Sequence, residues 1–367
     1  FVAIILLTSI ATAIYWQQHL PEEAFWITLS VLVATCPCAL SLATPTALTC
    51  ATTRLNRDGI MIKSGHVMET IPNLDCFAFD KTGTLTSGIF TITEVKVVDP
   101  SYSKAQVLAY AAAVESHSEH PIAKAFSKYR DYEYVASDIA VKPGNGVTGT
   151  INNKTIAIGK ASWLLEDTTV SKYTDANCVL LIDNKICAAF YLADDIRDDA
   201  KTLISQLKAS NVKTMMVSGD RLAGCETVQA QLQLDIIHSD KTAQQKMEII
   251  TAEQQTHNVA MVGDGVNDTP VFGAAHVSIA MGSGTDVAKS GADVILLNNK
   301  LAAISTLGKI AVKTKRIIFE NYLWAFGYNA IVLPLAVCGF ITPYMAVIGM
   351  SLSSILVVTN SLRLLKK

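Results

Sequence analysis

Leu74-Asp75-Cys76-Phe77-Ala78-Phe79-Asp80-Lys81-Thr82-Gly83-Thr84-Leu85-Thr86 is the stretch on which the reading of this chain turns. Its apolar, aromatic-rich first half predicts a short buried strand. The strand ends at Asp80, and Lys81-Thr82-Gly83-Thr84 forms a polar turn. Open α/β sheets place their chemistry at the carboxyl ends of strands. A carboxylate there can act as a nucleophile and form an acyl phosphate. Backbone N–H groups around Gly83 can cradle the transferred group.

Around this strand, residues 54–312 alternate strand-like and helix-like segments. Strands are predicted near 76–80, 213–217, 259–262 and 293–297, and helices near 199–210, 222–233 and 242–253. This is a doubly wound α/β pattern. Between 88 and 193 the pattern changes. Thr/Val-rich strands at 89–98, 147–158 and 178–192 accompany a helix near 103–116. The segment reads as an α+β domain inserted after the first strand.

The chain has 367 residues, 50% of them hydrophobic and only 17% charged. That balance points to a membrane part. The net charge of −2 gives no basis for nucleic-acid binding. The cysteines show no disulfide framework. Four apolar spans are expected, at 1–16, 25–50, 319–338 and 344–362, the first shorter than a crossing needs. Lys and Arg cluster at 54–63, 313–316 and 363–367 and are missing from the loops 17–23 and 339–343. By the positive-inside rule the large middle part and the carboxyl end are cytoplasmic. The expected division is 1–53 (two spans), 54–87 with 194–312 (the α/β domain), 88–193 (the insert) and 313–367 (two spans and a tail).

Further motifs follow other predicted strands. Val262-Gly263-Asp264-Gly265-Val266-Asn267-Asp268 offers carboxylates and an amide on a Gly-rich turn, hard oxygen ligands suited to Mg²⁺. Ser218-Gly219-Asp220 offers a hydroxyl and a carboxylate, and Lys246 a charge to offset a phosphoryl group. A nucleophilic Asp, a hydroxyl, a Lys and an acidic turn, in that order, resemble the haloacid-dehalogenase-like phosphotransferase fold. Soluble phosphatases of that fold carry a second Asp two residues after the nucleophile as general acid and base. Thr82 stands there in this chain, which suits a longer-lived acyl phosphate. In the insert, Glu115-Ser116-His117-Ser118-Glu119-His120-Pro121 and Pro143-Gly144-Asn145-Gly146 stand out. His120 can stack on or hydrogen-bond adenine, and Gly144 and Gly146 permit close approach of a nucleotide.

The second span contains Thr35-Cys36-Pro37-Cys38. Residues two apart on a regular helix point about 200° from each other. Pro37 disrupts that turn, and local unwinding lets both sulfurs face one site. Soft thiolates select Cu⁺, or Zn²⁺ and similar ions. Tyr328-Asn329 in the third span and Met350 with Ser354, one helical turn apart in the fourth, extend the set. A thioether favours Cu⁺.

Asp80-Lys81-Thr82-Gly83-Thr84-Leu85-Thr86 matches the phosphorylation motif of P-type ATPases residue for residue. Cys-Pro-Cys, Tyr-Asn and Met-x-x-Ser-Ser match the membrane signature of the heavy-metal (type IB), monovalent-copper group. Cys36-Pro37-Cys38-Ala39-Leu40-Ser41-Leu42-Ala43-Thr44-Pro45 and Gly349-Met350-Ser351-Leu352-Ser353-Ser354 look most like the branch that supplies copper for bacterial cytochrome oxidase assembly. The resemblance covers essentially the whole chain. It implies ATP-driven Cu⁺ export across a bacterial inner membrane, with a copper donor chaperone as partner. It implies phosphorylation at Asp80, assisted by Lys81, Thr82, Ser218, Asp220, Lys246, Asn267 and Asp268. Mg²⁺ is implied at Asp80, Asp264 and the Thr82 carbonyl, ATP at Glu115, His120, Gly144 and Gly146, and copper at Cys36, Cys38, Tyr328, Asn329, Met350 and Ser354.

The chain departs from that pattern in places. It lacks the Thr-Gly-Glu loop of the family's actuator domain, so it reads as a carboxyl-terminal portion. Asp194-Asp195 stands for Asp-Pro at the hinge, Ser218 for Thr, Lys160 for Asn after Gly159, and Ala243 for the Pro before Lys246. Three other readings remain: a pump for Zn, Cd or Ag, a membrane-tethered phosphohydrolase, and a non-catalytic copper-binding membrane protein.

Overall fold

A computed structural model describes residues 2–366 except 119, 120, 143, 166–169, 171, 174 and 265–268. Three helices open the chain: α1 (Val2–His19), α2 (Pro21–Ala34) and α3 (Cys38–Arg57). The expected second span is therefore two helices. Pro37 has no N–H to continue the ladder, and the helix resumes with Ser41 N–H donating to the Pro37 carbonyl (2.9 Å). Among the described residues, two runs are long and apolar enough to cross a membrane, 21–57 (counted across this break) and Pro343–Leu362, rather than the four expected. The expected third span is diluted by Asn321, Tyr322, Tyr328 and Asn329.

β1 (Ile60–Ile62), β2 (Cys76–Phe79) and β3 (Thr86–Val97) follow, then α4 (Lys104–Glu115). β4 (Ser137–Lys142), β5 (Gly146–Ile151), β6 (Lys154–Gly159), β7 (Cys178–Ile182) and β8 (Lys185–Ile196) complete an antiparallel sheet ordered β3-β8-β7-β6-β5-β4. Two stretches expected as single strands are hairpins. Asn152-Asn153 and Asp183-Asn184 take positive φ at both positions, as tight two-residue turns require.

The chain then alternates α5 (Asp198–Ala209), β9 (Lys213–Val217), α6 (Leu222–Leu232), β10 (Ile236–His238), α7 (Ala243–Glu253) and β11 (Val259–Gly263). It continues through β12 (Val277–Met281) and β13 (Val294–Leu296) into α8 (Ala302–Val337) and α9 (Pro343–Leu362). The second sheet runs β1-β13-β12-β11-β2-β9-β10, parallel except for edge strand β1. The architecture is a doubly wound α/β domain, an α+β insert between β2 and α5, and a helical part.

β2 sits inside this sheet, buried on both faces, which explains its unbroken apolar sequence. Phe77 and Phe79 pack into a cluster with α3, α5 and α8, whereas Cys76 and Ala78 pack toward Ile250 and Phe272. Leu55 of α3 and Leu307, Ala311 and Ile317 of α8 belong to the first cluster. The α/β core is thus continuous with two helices that lead to the Cys-Pro-Cys segment. α8 is unbroken through residues 312 and 313, where the sequence suggested a domain edge.

Candidate functional site: an aspartate at a strand end and a sulfur cluster between helices

β2 pairs in parallel with β9 and β11, Phe79 opposite Met216 and Val262. The three strand ends deliver Asp80, Ser218 and Asp264 to one edge of the sheet. Asp80 is 7% exposed, and Lys246 Nζ, equally buried on α7, lies 2.5 Å from its Oδ1. A short buried ion pair orients the carboxylate. Lys81 Nζ lies 2.5 Å from Asp220 Oδ2, and Thr82 Oγ1 donates to the same oxygen (3.2 Å). Ser218 Oγ accepts from Asp220 N–H (3.1 Å) and thereby fixes that loop.

Gly83 has φ +73°, and a Cβ built on it would lie 1.7 Å from Asp264 Oδ2. The turn after Asp80 therefore closes on the Asp264 carboxylate only because no side chain intervenes. Among the described residues no three His, Cys, Asp or Glu side chains gather. Two carboxylates with carbonyl oxygens nonetheless fit Mg²⁺, which keeps waters and substrate phosphates in its shell. Asn267 and Asp268 lie outside the described residues, as does His120.

Sequence reasoning missed Arg197, which follows β8. Its Nη2 donates to the Gly83 carbonyl (2.8 Å), and its Nε to those of Thr84 (2.9 Å) and Thr86 (3.0 Å). Nη1 donates to the Asn299 carbonyl just before α8 (3.1 Å). A planar fork of donors thus fixes the turn that follows Asp80. The signal was present as a lone Arg at the cap of α5. Nearby, Asp194 accepts from Thr86 Oγ1 (2.5 Å) and Gly88 N–H (2.9 Å), pinning β8 to the start of β3. Burial raises its pKa despite these bonds.

In the insert, Glu115 ends α4 and is 6% exposed. Burial pushes its carboxyl up to about 7, and a hydrogen bond from Ser118 only partly opposes this. Gly144 has φ +77° with open space at its Cβ position. Gly146 is different: Gly159 Cα and the Trp163 ring fill that space, so its missing side chain serves packing between β5 and β6.

Relative to an unfolded value near 4.5, the raised Glu115 pKa costs stability as pH rises through about 7. Glu115→Gln is expected to match the unmodified chain at about pH 4 and exceed it at about pH 8, by on the order of 3 kcal/mol. Urea unfolding at both pH values checks this. A gap that does not change with pH contradicts it.

In the helical part, the break before α3 brings Cys36 and Cys38 into a disulfide, with Cα atoms 5.5 Å apart. That pairing was not expected, since the cysteines show no disulfide framework in the sequence. Met350 Sδ on α9 lies 3.7 Å from Cys38 Sγ. Tyr328 reaches across Gly349, its hydroxyl 2.5 Å from where a Cβ would stand there. Asn329 Oδ1 is buried with no hydrogen-bond partner. Ser354 Oγ bonds back to the Met350 carbonyl (3.1 Å) and does not address the sulfurs. Three of the six expected copper residues thus converge, and Asn329 supplies an unspent acceptor.

Residues 74–276 match the model of the haloacid dehalogenase-like hydrolase family. The cation-transporting P-type ATPase B of Mycobacterium leprae is 39% identical over 357 residues, covering 94% of this chain and 47% of that protein. The copper-exporting P-type ATPase of Mycobacterium tuberculosis is 35% identical over 379 residues, covering 100% and 50%. A zinc-transporting PIB-type ATPase in its E2.Pi state superposes with a TM-score of 0.80 at 29% identity, covering 100% of this chain and 62% of that one. The catalytic domain of the CPx-ATPase CopB-B gives 0.60 at 32% identity, covering 70% and 98%. The chain belongs to the haloacid dehalogenase-like hydrolases and, within them, to the heavy-metal P-type ATPases. It spans about half the length of the curated relatives it matches.

Proposed function

We propose that the chain is the catalytic and metal-conducting part of an ATP-driven pump that exports Cu⁺ from the cytoplasm. The observation that carries the metal reading is the meeting of Cys36, Cys38 and Met350 sulfurs between α3 and α9. Low-coordinate sulfur suits Cu⁺, whereas Zn²⁺ prefers four ligands with N or O partners. A Zn²⁺, Cd²⁺ or Ag⁺ pump is the second reading, favoured by the likeness to a zinc-transporting PIB-type structure. The α/β domain and insert are read as cytoplasmic and the helices as spanning a bacterial inner membrane, with lipid around them. A copper donor protein is the expected partner.

In this reading Asp80 Oδ attacks the γ-phosphorus of ATP, the bond to the β–γ bridging oxygen breaks, and ADP leaves. Lys246 and Lys81 offset the charge. Asp80, Asp264 and the Thr82 carbonyl would hold Mg²⁺, which would supply electrostatic neutralisation of the phosphates. Thr82 supplies no acid–base group, so the acyl phosphate persists. The Glu115, His120 and Gly144 region of the insert receives the nucleotide.

Gly83→Ala tests the closed turn. The new Cβ would displace the Asp264 carboxylate, and misplacement by an ångström costs on the order of a hundredfold in rate. Single-turnover labelling from γ-labelled ATP should fall by about that factor. Labelling within a fewfold of the unmodified chain contradicts the assignment. For the metal, Cu⁺ and Zn²⁺ stoichiometries on the reduced chain discriminate the two readings.

A further inference from the structure

We propose that Asn321 is the register pin that positions Met350 against the cysteine pair, an inference that rests on the sulfur-site reading. Asn321 on α8 is 1% exposed. Its Nδ2 donates to the Ala43 carbonyl on α3 (3.2 Å) and to Ser361 Oγ on α9 (3.0 Å). Its Oδ1 accepts from Asn360 Nδ2 (3.0 Å). One side chain thus ties all three helices that carry the candidate metal residues. Thr46 Oγ1 meets Ser361 Oγ at 3.1 Å, and Tyr322 OH meets Thr44 Oγ1 at 2.7 Å. On the domain side, Glu320 accepts from Asn360 (3.2 Å), Arg363 (2.9 Å) and Arg316 (3.1 Å).

What lies between this node and the sulfurs explains the need for it. The buried layer is Ala39, Ala43, Ala325 and Val357, with Leu40 and Tyr322 partly buried against it. Its three alanines allow close approach but offer little relief to fix one helix along another. Buried polar groups with fixed partners specify register instead. A one-residue slip moves a helix by about 1.5 Å and turns it by about 100°. That would break every Asn321 bond and swing Met350 away from Cys38. Asn321 lies eight residues, about 12 Å, from Asn329 along α8. It therefore acts through helix placement, not by touching the metal. Its bonds are spent within the protein, in contrast to the unpartnered Asn329 Oδ1.

The test is a double-mutant cycle on the full reduced chain in detergent, titrated with Cu⁺ against a competing chelator. Asn321→Leu should weaken Cu⁺ binding about tenfold, the order of one lost interhelical bond. X-ray absorption of the copper should show loss of the thioether sulfur. In a Met350→Leu background the same substitution should change affinity less than about twofold, because the residue through which it acts is gone. Equal weakening in both backgrounds marks general loosening of the bundle and overturns the proposal. So does an unchanged affinity and sulfur count. If Asn321→Leu does not fold, Ser361→Ala, which deletes one bond of the node, takes its place with the same cycle. An unmodified chain that binds no Cu⁺ overturns the sulfur-site reading itself, and the pin with it.

Discussion

Asp80→Asn is expected to abolish covalent phosphorylation while leaving ATP binding intact. The substitution removes the nucleophilic oxygen and keeps the shape. Asn Oδ1 can still accept from Lys246, whose Nζ now lies 2.5 Å from the carboxylate. The exchange of a charged for a neutral partner costs on the order of 2 kcal/mol of stability. That loss is small beside the chemical one, because an amide forms no acyl phosphate. The proposed nucleotide region of the insert is built on a separate sheet, β3-β8-β7-β6-β5-β4, and among the described residues its core shares no side chain with β2. Acid-quenched labelling with γ-labelled ATP, beside equilibrium nucleotide binding, measures both halves. Undiminished label in the variant removes Asp80 from its role.

The second large effect is expected from Cys36→Ser with Cys38→Ser. Both sulfurs face one point only because Pro37 interrupts the helix there. Hydroxyls are hard donors and poor ligands for a soft monovalent ion. Met350 alone cannot replace them. The double variant should lose Cu⁺ binding in the helical part and retain ATP binding. The bonds that align α3 with α8 and α9 lie at Ala43, Thr44 and Thr46 and are untouched. Cu⁺ retained at the unmodified stoichiometry contradicts the copper assignment and leaves the ATPase family membership standing.

These expectations divide by how local their sequence signal is. The β2 strand and its turn were legible because a buried parallel strand is continuously apolar and Asp80 breaks it abruptly. The helix break at Pro37 was legible because proline lacks the N–H that a helix needs. The two hairpin turns were not read, since Asn-Asn and Asp-Asn within Thr/Val-rich runs resemble polar positions of one alternating strand. Arg197 escaped because its partners are main-chain carbonyls at 83–86 and 299, far away in sequence and anonymous in residue type. Asn321 escaped for a related reason: it looked like a polar dilution of an apolar span, and its value lies in Ala43, Asn360 and Ser361 on other helices. Gly146 was read as room for a nucleotide, and the space proved to hold Trp163.

The most direct test of the account is phosphoenzyme formation by the unmodified, reduced chain with γ-labelled ATP and Mg²⁺, with and without Cu⁺ or Zn²⁺. The account predicts an acid-stable, hydroxylamine-sensitive label on Asp80 whose level responds to Cu⁺ more strongly than to Zn²⁺. A chain that binds ATP yet carries no hydroxylamine-sensitive label under any of these conditions would contradict it.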